Sequence, residues 1–244
     1  VPGTLRVAPD RSGFRTIEPL STPLDQTKVA GMDGANPTMD VGPVRVGDLN
    51  GDGIDDILNG VAISGSSGTK AYAAAMLGTG DGRYTDPIFS VAATAVYSTP
   101  YDVRLADVNG DDVLDVVMTT TNSTTGLLSL MLGVGDGHFG APITSQAIAN
   151  PGYLMPGDWG GTADVQFAVT GANATWHVID VRAEGFDDLT PTGVTWLNSA
   201  YSVNAIQAAD VDEDGQSELY LAMDSALDEA QGVQRITDLT SATP

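Results

Sequence analysis

Three nine-residue acidic segments, residues 48–56, 107–115 and 210–218, constrain this chain more than any other feature. Each places Asp or Asn at positions 1, 3 and 5 and a carboxylate at position 9. In a tight loop that spacing aims alternate side-chain oxygens at one point. Calcium takes about six to eight oxygens at about 2.3–2.6 Å, supplied by carboxylates and backbone carbonyls. The expected donors of the first loop are Asp48, Asn50, Asp52 and Asp56, with the carbonyl of Ile54. Those of the second are Asp107, Asn109, Asp111 and Asp115, with the carbonyl of Val113, and those of the last are Asp210, Asp212, Asp214 and Glu218, with the carbonyl of Gln216. An Asp-rich turn capping its own backbone accounts for positions 1, 3 and 5. The carboxylate at position 9 favours the cation, and about three Ca2+ sites are expected. Magnesium prefers a smaller octahedral site that keeps water. In the second loop Asp112 stands where the other two have Gly, so it is expected to adopt positive φ, which Asp tolerates better than most residues.

A degenerate copy occupies residues 157–164 and reads as a shortened, metal-free loop that keeps only Asp158 and Asp164. The four copies start 59, 51 and 52 residues apart. A period near fifty marks an array of one supersecondary unit. Short apolar runs lead into and out of each loop, such as Val44-Arg45-Val46 and Val116-Val117-Met118, and these read as strands. About thirty residues later comes a Gly-Asp-Gly tip, at residues 80–82 and 135–137, which is hairpin chemistry. Four strands per unit, antiparallel and repeated about an axis, predict an all-β β-propeller of four-stranded blades.

The acidic loops and the element Phe139-Gly140-Ala141-Pro142 resemble the FG-GAP family, the integrin α-like or VCBS-type calcium-binding β-propeller repeats. The chain departs from that pattern at Asp112, in the third loop, and in holding about four modules where family rings usually have seven. The modules are expected at about 40–99, 100–150, 151–201 and 202–240, within one domain spanning 1–244. Residues 1–24 read as strands that complete the last blade, which lacks its outermost strand, and close a four-bladed ring. The alternative is an arc of a larger, seven-bladed ring, which would leave an exposed sheet edge.

Charge narrows the partners. Asp and Glu total 32 against 10 Lys and Arg, a net charge of −22, so a phosphate backbone is repelled and nucleic acid is not an expected ligand. No apolar run is long enough to span a bilayer as a helix. There is no cysteine to report the redox compartment. Calcium loops of modest affinity fill where calcium is millimolar, so an extracellular location, secreted or cell-surface, is expected.

Beyond the loops, the aromatics concentrate in the third module. Trp159, Trp176 and Trp196 are candidates for a ligand surface if exposed, or core fillers if buried. The histidines, His138 and His177, carry no partner pattern, and no hydrolase, metalloprotease or phosphate-loop motif occurs. Asn122 and Asn173 head glycosylation sequons. The resemblance implies a calcium-stabilised extracellular binding or adhesion module for a glycan or protein ligand, since members include integrin heads and fungal lectins. Two alternatives stand beside it. One is a polysaccharide-acting enzyme or accessory domain, which would need His177, Tyr153 or Asp164 grouped in a cleft. The other is a structural or assembly domain of a larger surface protein.

Overall fold

The computed structural model describes residues 26–30, 32, 37–93, 99–121, 125–145, 147–159, 165–171, 175–190, 201–225 and 232–236, with side chains of the last two segments described over 206–222 and at 235. Trp196, Asp164, both sequons and residues 1–24, with the ring closure read into them, lie outside this set. Among the described residues, every regular element apart from one 3-10 turn, Gln26–Val29, is a β-strand. Three sheets have four antiparallel strands in chain order. The first contains β1 (Thr38–Gly47), β2 (Asp56–Gly65), β3 (Gly68–Met76) and β4 (Ile88–Ala93). The second contains β5 (Thr99–Ala106), β6 (Asp115–Thr121), β7 (Gly126–Met131) and β8 (Ile143–Thr144), and the third β9 (Leu154–Gly157), β10 (Val165–Thr170), β11 (Trp176–Arg182) and β12 (Gly185–Asp188). The last sheet shows three strands among the described residues: β13 (Tyr201–Ala209), β14 (Glu218–Ser225) and β15 (Gly232–Ile236).

Antiparallel sheets often leave one face to water, and their strands then alternate apolar and polar. Here the middle strands are buried along most of their length, as in Ala71–Met76 of β3 and Val116–Thr120 of β6. The reason is face-to-face stacking of successive sheets. Leu58, Ala71, Ala73 and Ala75 of the first sheet pack on Val103, Val116, Met118 and Met131 of the second. Val117, Leu128 and Leu130 of the second pack on Leu154, Phe167, Val169 and Ile179 of the third. Trp159, Ala168, Trp176 and Val178 then pack on Leu219 and Leu221 of the last. On the free side of the first sheet, Met39, Val61, Ile63 and Tyr72 are covered by Val29 of the 3-10 turn.

First strands of neighbouring sheets lie side by side: β1 against β5, β5 against β9, and β9 against β13. A buried charge binds three of them. Asp102 on β5 receives Arg45 of β1 at 2.5 Å, Arg104 of its own strand at 3.1 Å, and the Leu154 amide of β9 at 3.0 Å. The Arg104 guanidinium in turn donates to the Leu154 carbonyl at 2.7 Å. Breaking such a pair leaves a buried, uncompensated charge, so it holds the order of the sheets. Phe139 supplies a second latch: its ring joins the core between the first two sheets, and its amide donates to the Ser90 hydroxyl on β4 at 3.1 Å.

Candidate metal centre

Every acidic loop joins the first strand of a sheet to the second, so all four occur at equivalent places. Position 9 opens the second strand, or lies one residue inside it, and pairs with the residue just before position 1. The pairs are Gly47 with Asp56, Ala106 with Asp115, Gly157 with Gln166, and Ala209 with Glu218. This register corrects the reading of the third loop as shortened. It has the length of the others, with Gln166 rather than Asp164 at position 9. The error came from aligning the loop on its nearest carboxylate, whereas the strand register is what sets its end.

Position 9 performs one task in all four loops. Its buried side-chain oxygen accepts the amide of position 2: Leu49 to Asp56 at 2.8 Å, Val108 to Asp115 at 2.9 Å, Trp159 to Gln166 at 2.9 Å, and Val211 to Glu218 at 3.0 Å. A carboxylate at position 9 therefore has a structural use independent of any cation. In the first two loops the other oxygen is committed as well. It accepts the Gly78 amide at 2.7 Å in one and the Gly133 amide at 2.8 Å in the other. Both glycines are required by closeness, since a Cβ would stand 2.6 Å from the Asp55 carbonyl oxygen and 2.5 Å from that of Leu114.

Backbone strain recurs too. Positions 4 and 6 adopt positive φ in the first, second and last loops: Gly51 and Gly53, Gly110 and Asp112, Glu213 and Gly215. Asp112 has φ 65°, the conformation expected of it, while Glu213 at φ 61° is a second non-glycine that the sequence reading missed. Asp48 receives the Gly51 and Gly53 amides at 2.7 and 2.8 Å, and Asp107 receives those of Gly110 and Asp112 at 2.7 and 2.9 Å.

These commitments separate the loops. Among the described residues, Asp210, Asp212, Asp214 and Glu218 are the one acidic group whose carboxylate oxygens all converge within 4.8 Å. Three are exposed and Glu218 is buried. The donor set is all hard oxygen, which fits calcium or magnesium and not a soft-ligand metal. The Arg235 guanidinium on β15 lies 3.0 Å from Asp212 and 3.9 Å from Glu218, and so neutralises part of the cluster. Asp56 and Asp115 are held above the usual carboxylate range. Burial pushes them up against the pull of their amide donors, and the charges at positions 5 and 1 add to the push. Asp48 lies below that range. Burial is the largest single influence and pushes the other way, but the amides of Gly53, Gly51, Asn50 and Asp52 together outweigh it.

The aromatic candidates fall differently from the ligand-surface expectation. Trp159 and Trp176 are 1% and 3% exposed, inside the core between the third and last sheets, so they fill space and offer no face to a ligand. Tyr153 makes an edge-on contact with Tyr101, ring centres 5.3 Å apart. His177 stands elsewhere, in a cleft with Asp188 as its partner at 2.9 Å. His138 is exposed on a hairpin tip beside Asp136.

No protein-family model matches the chain, and no curated protein matches it in sequence. Solved structures do match in fold. One is the Bacillus licheniformis rhamnogalacturonan lyase PL11, at TM-score 0.52 and 17% identity, over 91% of this chain and 44% of that one. Another is the exotype rhamnogalacturonan lyase YesX, at TM-score 0.54 and 14% identity, over 85% of this chain and 41% of that one. At these identities the likeness is one of fold, and the chain spans less than half the length of either structure. Among the described residues no helix is long and apolar enough to cross a membrane.

Proposed function

We propose that this chain is a calcium-stabilised β-propeller module of a polysaccharide-acting protein, and that its ligand is a glycan. The fold likeness to two rhamnogalacturonan lyases over 85% and 91% of the chain carries the reading. It favours a carbohydrate-active setting over adhesion. The face-to-face sheets with adjacent first strands suit blades about an axis. The acidic loops are then FG-GAP-like turns, with Asp210, Asp212, Asp214 and Glu218 as the best-formed calcium site. Loops one and two take the same ion through the donors that their spacing provides. A cation saturated by such loops pins a turn and offsets part of the negative charge. Its role is structural, and the setting is one where calcium is millimolar.

Electrophoresis through gels containing rhamnogalacturonan tests the reading. Calcium should give retardation that chelator abolishes. No retardation by the folded, calcium-loaded chain, or equal retardation by every polysaccharide tried, would overturn it.

A further inference from the structure

Outside the loops, one cavity of about 300 Å³ opens between the edge of the second sheet and the outer strands of the third. Its volume is at the lower end of small-ligand sites. Ile148, Ile179 and Phe186 contribute its apolar lining, and His177, Asp187 and Asp188 its polar lining. A second hollow continues past Phe186 and Asp187 to Arg182 and Glu184, so the cleft extends along β12 as a groove.

The polar groups are held in place. The Asp188 carboxylate bonds His177 Nδ1 at 2.9 Å through one oxygen and accepts the Thr190 amide at 2.9 Å through the other. Its charged form is favoured. Burial pushes its pKa up, but bonds from His177 and from the Thr190 hydroxyl and amide outweigh this and hold it below the usual range. The imidazole is thereby oriented at Nδ1, which leaves Nε2 unbonded to any described residue and available to a ligand. Arg182, the nearest cation among the described residues, is already engaged by Asp187 at 2.9 Å and Asp180 at 2.5 Å.

This combination selects a ligand class. Two carboxylates with no uncommitted cation among the described residues accept hydroxyl protons and repel anions. An aromatic ring among aliphatic side chains receives the C–H face of a flat, weakly polar ring. We infer that the cleft at His177, Phe186 and Asp188 binds a neutral, hydroxyl-rich sugar ring and discriminates against a sugar acid. The inference stands on the cleft alone and does not depend on calcium in the loops.

Titrating the chain with methyl galactoside, methyl rhamnoside and galacturonate while observing the imidazole resonances tests it. His138 on its exposed tip is the control within the molecule. A neutral sugar should shift His177 and leave His138 in place, with galacturonate about tenfold weaker. Phe186→Leu keeps an apolar side chain against Val181 but removes the ring, and should weaken binding about tenfold. Asp187→Asn, on the exposed rim, leaves the core untouched and should narrow the gap between neutral and acidic sugars. The inference is overturned if no sugar shifts His177, if both histidines shift alike, if galacturonate binds as well as the neutral sugars, or if folded Phe186→Leu binds unchanged.

Discussion

The first and last acidic loops have the same length, register and ligand spacing, yet their carboxylates are used differently. In the first, Asp56 gives one oxygen to Leu49 and the other to Gly78, a residue at the far end of the third strand. In the last, Glu218 reaches Val211 in the same way, and among the described residues its second oxygen faces Arg235 at 3.9 Å. Among the described residues the last loop's four carboxylates converge and the first loop's do not. The first loop spends both oxygens of its position-9 carboxylate on backbone amides, whereas the last gathers its four carboxylates as a cation site would need. Equal spacing does not mean equal function, because each oxygen's duty depends on what the neighbouring strand brings to it.

The largest effect that separates the two should come from truncating position 9. Asp56→Ala orphans two buried amides, and each costs about 1–3 kcal/mol, whereas Glu218→Ala orphans one among the described residues. Denaturant unfolding should therefore show a loss of about 2–6 kcal/mol for the first and about half that for the second. Equal losses would dissolve the distinction.

Calcium comes next. At about 100 times its dissociation constant, calcium at a single site stabilises by about 2.7 kcal/mol. Chelator should lower Tm in the parent, and the double change Asp210→Ala and Asp212→Ala should remove most of that difference. Calorimetric stoichiometry sharpens the comparison: three ions would mean that the first two loops also hold calcium, and one would confine it to the last loop. Replacing Arg235 with Gln should lower Tm in chelator and tighten calcium binding, since the internal cation is gone.

Acidification tests the electrostatics. The folded-state pKa values of Asp56 and Asp115 are raised above 3.8, so the folded state binds protons more readily than the unfolded one. Their ionisation penalty is present in full above the raised pKa and disappears as pH falls through it towards 3.8. Asp48 and Asp188 have the opposite sign. Their stabilisation is present above 3.8 and is lost as pH falls through their lowered pKa values. In calcium-free buffer, the Tm of Asp56→Asn relative to the parent should therefore be least unfavourable at neutral pH and most unfavourable in acid. A difference independent of pH would show that burial does not govern this carboxylate. The smallest effect is conformational: Asp112→Gly and Glu213→Gly, at φ 65° and 61°, should each stabilise by up to about 1 kcal/mol in thermal unfolding.

Much of the local architecture was legible in the chain. The loop positions, the strands around them, the Gly-Asp-Gly tips and the positive φ of Asp112 all follow from short-range rules, in which a residue's own chemistry limits its backbone. The spacing of Asp210, Asp212, Asp214 and Glu218 likewise announced a group able to converge. Gln166 was missed because a neutral amide carries no metal signal, although a count of eight residues on from Asp158 would have found it. The tryptophans were ambiguous because an indole suits a sheet interface and a ligand surface equally well, and only the stacking of the third sheet on the last buried Trp159 and Trp176. Tertiary structure also decided that Gly78 and Gly133 bind position 9 while Arg235 confronts Glu218. It alone brought His177 to Asp188 beside Phe186. Those contacts join residues whose relation depends on how strands pair and sheets stack, a long-range outcome that no local pattern encodes. Local chemistry specified a repeating, acidic, all-β chain with loops rich in hard oxygen donors. The folded structure assigned those loops their separate duties.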